Sequence, residues 1–328
     1  MKGIVQHGFG SPNEALKLAD VAKPAVEDDG VLVSIRAASI HIGDVYGIRG
    51  FPKVMRPMFS SMKAKSGVIG TDIAGTVEAV GKDVTVLKPC DEVFGWCKGA
   101  FAEYASTKED SLTLCPDNLS SEQAAAIGVS AFTALQALRD HGKLQAGQKV
   151  LITGASGGVG TFAVQIAKSF GAEVTGVCST RNIEMVRALG ADHVIDYTQQ
   201  DFTKGGPEYD LILDNIGAQS LKDTRGALKP TGTLLSNGAG APSGWFGGLG
   251  LPLKSAVSSV FVKQQGRAFL SLPNKEDLAT LKDLAATGQI TPVMDRTYPL
   301  DQGISAISHV GEGHAQGTTV ITMAQAQQ

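Results

Sequence analysis

Apolar and polar positions change their rhythm along the chain near residue 120. Before it, short apolar or alternating runs at Lys2–Gln6, 31–37, 70–81, 91–95 and 100–105 lie between clusters of Gly, Pro and Asp. Strands in series without intervening helices predict a compact, mainly antiparallel β domain. Residues 121–140 then read as one helix, with Ser120 or Ser121 as its N-cap. From Lys149 onward, strands at Lys149–Thr153, Glu173–Cys178, 193–195, 211–213 and 233–236 alternate with helices near 158–170, 181–189 and 218–229. That alternation predicts a parallel sheet with helices on both faces. Residues 261–263 are a candidate last strand of this sheet. Residues 273–287 and 298–310 read as helices, and 318–323 as a closing strand. The glycine-rich stretch 238–253, with Trp245 and Phe246, fits a binding flap and an irregular connection equally well.

The most informative stretch is 149–172, KVLITGASGGVGTFAVQIAKSFGA. An apolar run (Val150, Leu151, Ile152) meets a glycine cluster, and Phe162, Ile166 and Phe170 then recur four apart, as one helical face requires. Ala155-x-Gly157-x-x-Gly160 has the spacing of a dinucleotide-binding turn, with alanine in the first glycine slot. Small residues let the backbone approach a pyrophosphate, and the free N–H groups of the new helix point at it. The same letters fit the glycine motif of short-chain dehydrogenases. That family needs a Tyr-x-x-x-Lys pair downstream, whereas Tyr104 and Lys108 lie upstream, so this reading fails on order.

Composition narrows the picture. At 328 residues there is room for two cores. A net charge of -3 without a basic block disfavours nucleic acid as a partner. Cys90, Cys97, Cys115 and Cys178 form no Cys-x-x-Cys pair and suit a reducing compartment. No run of about 18 apolar residues and no leader-like start appear, so a soluble cytoplasmic protein is expected.

Several motifs agree in order and spacing with one family. AASIHIGDVYGIRG (37–50), GTDIAGTVEAVGKDV (70–84), DEVFG (91–95), GAFAEYA (99–105), the glycine turn, CSTRN (178–182), DYT (196–198) and GHAQG (313–317) resemble the medium-chain dehydrogenase/reductase superfamily, in its zinc-free quinone oxidoreductase branch. The resemblance implies an α/β fold in which a Rossmann doubly wound parallel sheet (125–265) is inserted in a mainly antiparallel β, GroES-like catalytic domain (1–124 and 266–328). It also implies a homodimer. Matched position by position, the family's first catalytic zinc ligand is His41, the Gly-His-Glu pair is Thr71-Asp72, and the third ligand is Val129. The structural zinc lobe has shrunk to GWCKGA with Cys97 alone. Such a donor set is poor for tetrahedral zinc, and no metal is expected.

After the second strand of the parallel sheet an acid normally holds a ribose 2′-OH. Here the chain reads Cys178-Ser179-Thr180-Arg181-Asn182, without an acid. Ser179 and Thr180 can donate to a phosphate and Arg181 offers a charged fork, which points to NADP(H). An exposed arginine opening a helix is the plainer reading of Arg181. Ala155, Ser156, Gly157, Gly158 and Val159 are the pyrophosphate candidates. The resemblance adds Tyr197 near the adenosine phosphate and Thr133, Asn215, Gly238, Phe269 and Leu270 along the cofactor; Asp44, grouped with the cofactor residues, is expected to bond backbone or orient a neighbour. Asn215 also follows an apolar strand, at the end where such sheets bind ligands.

Without a metal, hydride transfer relies on positioning and on polar groups that receive developing negative charge. That suits quinones or α,β-unsaturated carbonyls, whose reduction passes through a phenolate or enolate, better than simple ketones. His41 can donate to the substrate oxygen or supply a proton, or it can be a hydrogen-bonded histidine without a chemical role. Tyr46 is a second donor candidate, or a packed aromatic. The expected activity is NADPH-dependent reduction of quinones or enones. The alternatives are an aldehyde or ketone reductase and a nucleotide-binding regulatory or structural protein with little turnover.

Overall fold

The computed structural model describes residues 1–61, 66–206, 208–237 and 264–324. The chain divides into two compact units. Met1–Phe51, Met55–Phe132 and Pro273–Gln328 form the first, Pro52–Val54 and Thr133–Leu272 the second.

In the first unit β1 (Lys2–Gln6) and β2 (Leu16–Asp20) pair antiparallel around a short α1 (Pro12–Ala15). β3 (Gly30–Ile40) is a long, nearly continuous apolar run with Val31, Val33 and Ile35 in the core. Its end feeds α2 (Ile42–Arg49), a helix hidden inside the motif 37–50, and α3 (Arg56–Ser61) follows. β4 (Asp72–Val80) pairs antiparallel with β3, and β5 (Glu92–Trp96) with β4. β6 (Tyr104–Lys108) returns to β3, and β7 (Leu112–Leu114) to β5.

The expected single helix 121–140 is broken. α4 (Ser121–Ala126) ends, and α5 (Val129–Gln136) starts after Gly128, followed by a wider turn over Ala137–His141. The break has a tertiary cause. A Cβ at Gly128 would lie inside the Asp72 carboxyl, and that carboxylate accepts the Val129 N–H at 2.9 Å. α4 also packs on β3 and β4. The first unit therefore runs to Phe132, past the boundary expected at 124/125, and it resumes at Pro273 where 265/266 was expected.

The second unit is built on β8 (Lys149–Thr153), β9 (Glu173–Cys178), β10 (His193–Asp196), β11 (Tyr209–Asp214), β12 (Leu228–Ser236) and β13 (Gln265–Ala268). Among the described residues these form one parallel sheet in the order β10-β9-β8-β11-β12-β13. Val150, Leu151, Ile152, Leu211, Ile212 and Leu213 are buried, as strands covered on both faces must be. α6 (Gly158–Ser169) buries Phe162 and Ile166, with half-buried Phe170 as C-cap. α7 (Ile183–Ala188) and α8 (Leu221–Gly226) follow β9 and β11. The expected strand 261–263 and the stretch 238–253 lie outside the described residues.

Back in the first unit, α9 (Lys275–Ala286) leads to β14 (Met294–Pro299), α10 (Gly303–Gly311) and β15 (Thr318–Thr322). The helix expected at 298–310 therefore starts later. Its first residues belong to β14, which pairs parallel with β15, and a single 3-10 turn at Leu300–Gln302 separates the two. β15 in turn pairs antiparallel with β3. No described helix is long and apolar enough to cross a membrane.

Candidate functional site

A buried polar cluster gathers where β3 hands over to α2 and where β4 starts. Ser39 and Asp72 face each other in the β3–β4 register. The Asp72 carboxylate accepts from Ser39 Oγ at 3.1 Å, the Val129 N–H at 2.9 Å and Thr71 Oγ at 3.3 Å. Thr71 Oγ also lies 3.0 Å from His41 Nε2. His41 opens α2. Its N–H donates to Asp44 Oδ2 at 3.0 Å, and its Nε2 lies 3.4 Å from the same oxygen. Two carboxyls, one imidazole and two hydroxyls thus share one continuous set of hydrogen bonds.

Burial decides the charge in this cluster. It pushes Asp44 up to about 7, against the lowering effect of the His41 N–H. It pushes Asp72 up to about 6, with His41 pulling down and Asp44 pushing further up. It holds His41 below the usual imidazole value, despite the opposing attraction of Asp72. The imidazole is therefore neutral near pH 7, and the carboxyls keep part of a shared proton there. His41, Asp44, Gly43, Gly47, Phe59 and Thr71 line a pocket that opens to solvent. Tyr46 sits on α2 but is not among its lining residues, and burial raises the Tyr46 hydroxyl.

The positions where relatives bind zinc do not fit that metal. Three protein donors already engage both oxygens of Asp72, and His41 Nε2 is engaged by Thr71. At position 129 the chain offers a backbone N–H, which repels a cation. Burial and the nearby Asp72 hold Cys97 as a thiol, far from the thiolate zinc needs. Among the described residues no three His, Cys, Asp or Glu side chains converge as a metal ion would require.

The second unit carries the nucleotide candidates. Gly154 has φ 62°, and the Gly157 N–H closes the turn on the Gly154 carbonyl at 3.0 Å. A Cβ at Gly160 would collide with that same carbonyl, so the helix can lie against the strand only with glycine there. Intrahelical bonding starts with Thr161 N–H on Gly157 O, which leaves Gly158, Val159 and Gly160 in the first turn, where N–H groups have no intrahelical acceptor. Ala155 is buried beneath the turn. Ser156 Oγ accepts from Asn182 Nδ2 at 2.8 Å, while the buried Asn182 Oδ1 and Ser236 Oγ have no partner among the described residues. Small residues, a helix start and unsatisfied buried polar atoms together fit a dinucleotide.

Other candidates are placed individually. Asn215 is clamped: its N–H donates to Thr153 Oγ, its Nδ2 to Thr153 O, and its Oδ1 accepts from Asn237. Thr133 is buried in α5, Tyr197 is largely exposed, and Leu270 is exposed. The Phe269 ring lies over His141, with centroids 4.9 Å apart. Arg181 and Ser179 flank Thr180 at the end of β9, and Gly238 lies outside the described residues. Thr180 Oγ donates to Asp196 Oδ2 at 2.5 Å. Asp196, the first residue of the DYT motif, is the acid beside the end of β9, and it comes from the neighbouring strand β10 rather than from the residues after β9.

A glycine turn opening a helix after a parallel strand, in a chain with a buried polar cluster, is the arrangement expected of a dinucleotide-dependent oxidoreductase. Comparison with known proteins agrees. Residues 27–117 match the alcohol dehydrogenase GroES-like domain, and residues 189–321 match the zinc-binding dehydrogenase family. The chain is 34% identical to a human mitochondrial NAD(P)H oxidoreductase, RTN4IP1, over 89% of this chain and 81% of the relative. It is 31% identical to the 2-methylene-furan-3-one reductase of Solanum lycopersicum, over 98% of this chain and 79% of the relative. The solved structure of the Coxiella burnetii quinone oxidoreductase superposes with a TM-score of 0.85 at 27% identity, covering 99% of each chain. The chain belongs to the medium-chain dehydrogenase/reductase superfamily, in its zinc-free quinone oxidoreductase branch. At that level it is an oxidoreductase that uses a nicotinamide cofactor.

Proposed function

We propose that this protein is an NADPH-dependent reductase of quinones or α,β-unsaturated carbonyls that works without a metal. The observation that carries this reading is the hydrogen-bonded chain Asp72–Thr71–His41–Asp44 on the wall of a pocket. The bound nicotinamide would supply the hydride. What remains for the protein is to stabilise an enolate or phenolate oxygen and deliver one proton. His41 is placed for the first task and Asp44 for the second. An N–H of the neutral His41 ring can donate a hydrogen bond to the developing oxygen, and Asp44, which also lines the pocket and whose carboxyl burial lifts to about 7, holds the proton that completes the reduction. An acceptor that needs only a donor and a proton suits this site, whereas an unactivated ketone profits more from a Lewis acid.

Gly158 and Val159 would receive the pyrophosphate at the start of α6, and Ser179 and Arg181 the phosphate on the adenine ribose. The relatives' names, an NAD(P)H oxidoreductase, a furanone reductase and a quinone oxidoreductase, support the same substrate range. We place the protein in the cytoplasm as a homodimer. The test is NADPH oxidation with a quinone, an enone and a simple ketone. Turnover of the first two and near-inactivity with the ketone is expected, and His41→Ala should lower turnover at least tenfold with unchanged NADPH affinity. Preference for the ketone, or wild-type turnover in the variant, would overturn the proposal.

A further inference from the structure

The end of β9 carries a charge that the sequence hides. Cys178 pairs in register with Asp196 at the end of β10. Asp196 is only 6% exposed, and its carboxylate is held by four donors. Thr180 Oγ donates at 2.5 Å, the Thr198 N–H at 2.9 Å, Thr198 Oγ at 2.8 Å and Gln199 Nε2 at 3.1 Å. These bonds, the one from Thr180 foremost, hold the carboxyl below the usual range, so it is ionised at neutral pH.

The consequence falls on Thr180. A hydroxyl has one proton to give. Here that proton points at Asp196, and Thr180 can offer an incoming ligand only lone pairs. Lone pairs accept from a ribose hydroxyl but repel a phosphate oxygen. A fixed negative charge also stands one hydroxyl behind the surface that Ser179, Thr180 and Arg181 present. Arg181 pulls a phosphate in the opposite direction.

We propose that Asp196, acting through Thr180, sets how strongly this site prefers a phosphorylated adenine ribose. It is a positioning residue that weakens the preference and lets the unphosphorylated coenzyme compete. The proposal rests on the reading of Ser179–Arg181 as the adenine-ribose surface, and it goes beyond that reading because it assigns opposite signs to neighbouring groups.

The experiment measures the Kd of NADPH and of NADH by calorimetry on the full chain. In Asp196→Asn the amide can donate to Thr180 Oγ, freeing the hydroxyl proton for the phosphate. NADPH should bind at least fivefold tighter while the Kd of NADH stays within twofold. Asp196→Ser, which also removes the charge, should move the ratio in the same direction and guards against a folding defect of the first variant. Thr180→Val supplies a second arm. Alone it removes lone pairs turned towards the phosphate and should not weaken NADPH binding, whereas in the Asp196→Asn background it should cost at least threefold. An unchanged ratio of the two Kd values, equal changes for both coenzymes, or an equal cost of Thr180→Val in both backgrounds would overturn the proposal alone. Wild-type protein that binds neither coenzyme would overturn the assigned nucleotide site and this proposal with it.

Discussion

Replacing Asp72 by Asn separates the electrostatics of the buried cluster from its shape. Asp72 is 1% exposed, and burial lifts its carboxyl from 3.8 to about 6. A carboxyl whose pKa is higher in the folded chain binds its proton more tightly there. Its stabilising contribution is complete below the unfolded value near 4 and is lost as pH rises through the folded value. Between about pH 5 and about pH 7.5, a group shifted by this amount removes on the order of 1 kcal/mol of stability. The asparagine side chain mimics the protonated acid. Its carbonyl can accept from Val129 N–H and Ser39 Oγ, and its amide can donate to Thr71. It cannot ionise, so that share of the pH dependence should vanish. Urea unfolding of the first unit can be followed through Trp96, which lies opposite Asp72 in the β4–β5 register and edge-on to Phe132. With a slope of about 2–3 kcal/mol per molar urea, the wild-type midpoint should drop roughly 0.5 M more than the variant's across this pH interval. Equal drops, or a steeper one in the variant, would show that Asp72 is already ionised at pH 5 and would refute the assignment of a stored proton.

Two further substitutions test the nucleotide side. Arg181→Ala should weaken NADPH binding by about tenfold while changing NADH binding far less, because one charge-assisted contact is worth about 1.5 kcal/mol; equal losses in a fluorescence titration would remove Arg181 from the phosphate site. Gly160→Ala forces a Cβ into the Gly154 carbonyl, so thermal melting should show a loss of about 1–3 kcal/mol together with weaker binding of both coenzymes.

Local signals were legible in the chain and distant ones were not. The strand, turn and helix of 149–169 stand in the letters, because β8 and α6 are set by neighbours in sequence. The break at Gly128 is not, because its cause is a carboxylate 57 residues upstream of Val129. β14 was missed for a related reason. MDRTYP has little apolar pattern of its own and becomes a strand by pairing with β15. At the candidate site, His41, Asp44 and Thr71-Asp72 could be picked out as unusual residues. Their mutual burial and shared proton could not, since β3, β4 and α5 must first meet. The place of Asp196 could not be read either, because strand order decides which acid stands beside the end of β9.

The pairing of β15 with β3 has a consequence for biogenesis. Thr319 lies opposite Ile40, immediately before His41. During synthesis the ribosome releases β3 early, and the partner of its residues 37–40 emerges only after the whole parallel-sheet unit has been made. The nascent first half must wait with an open sheet edge beside the future pocket, a natural client for a chaperone that shields exposed strands. Competence of the His41 region is thereby coupled to completion of the polypeptide, and a prematurely terminated product would lack it.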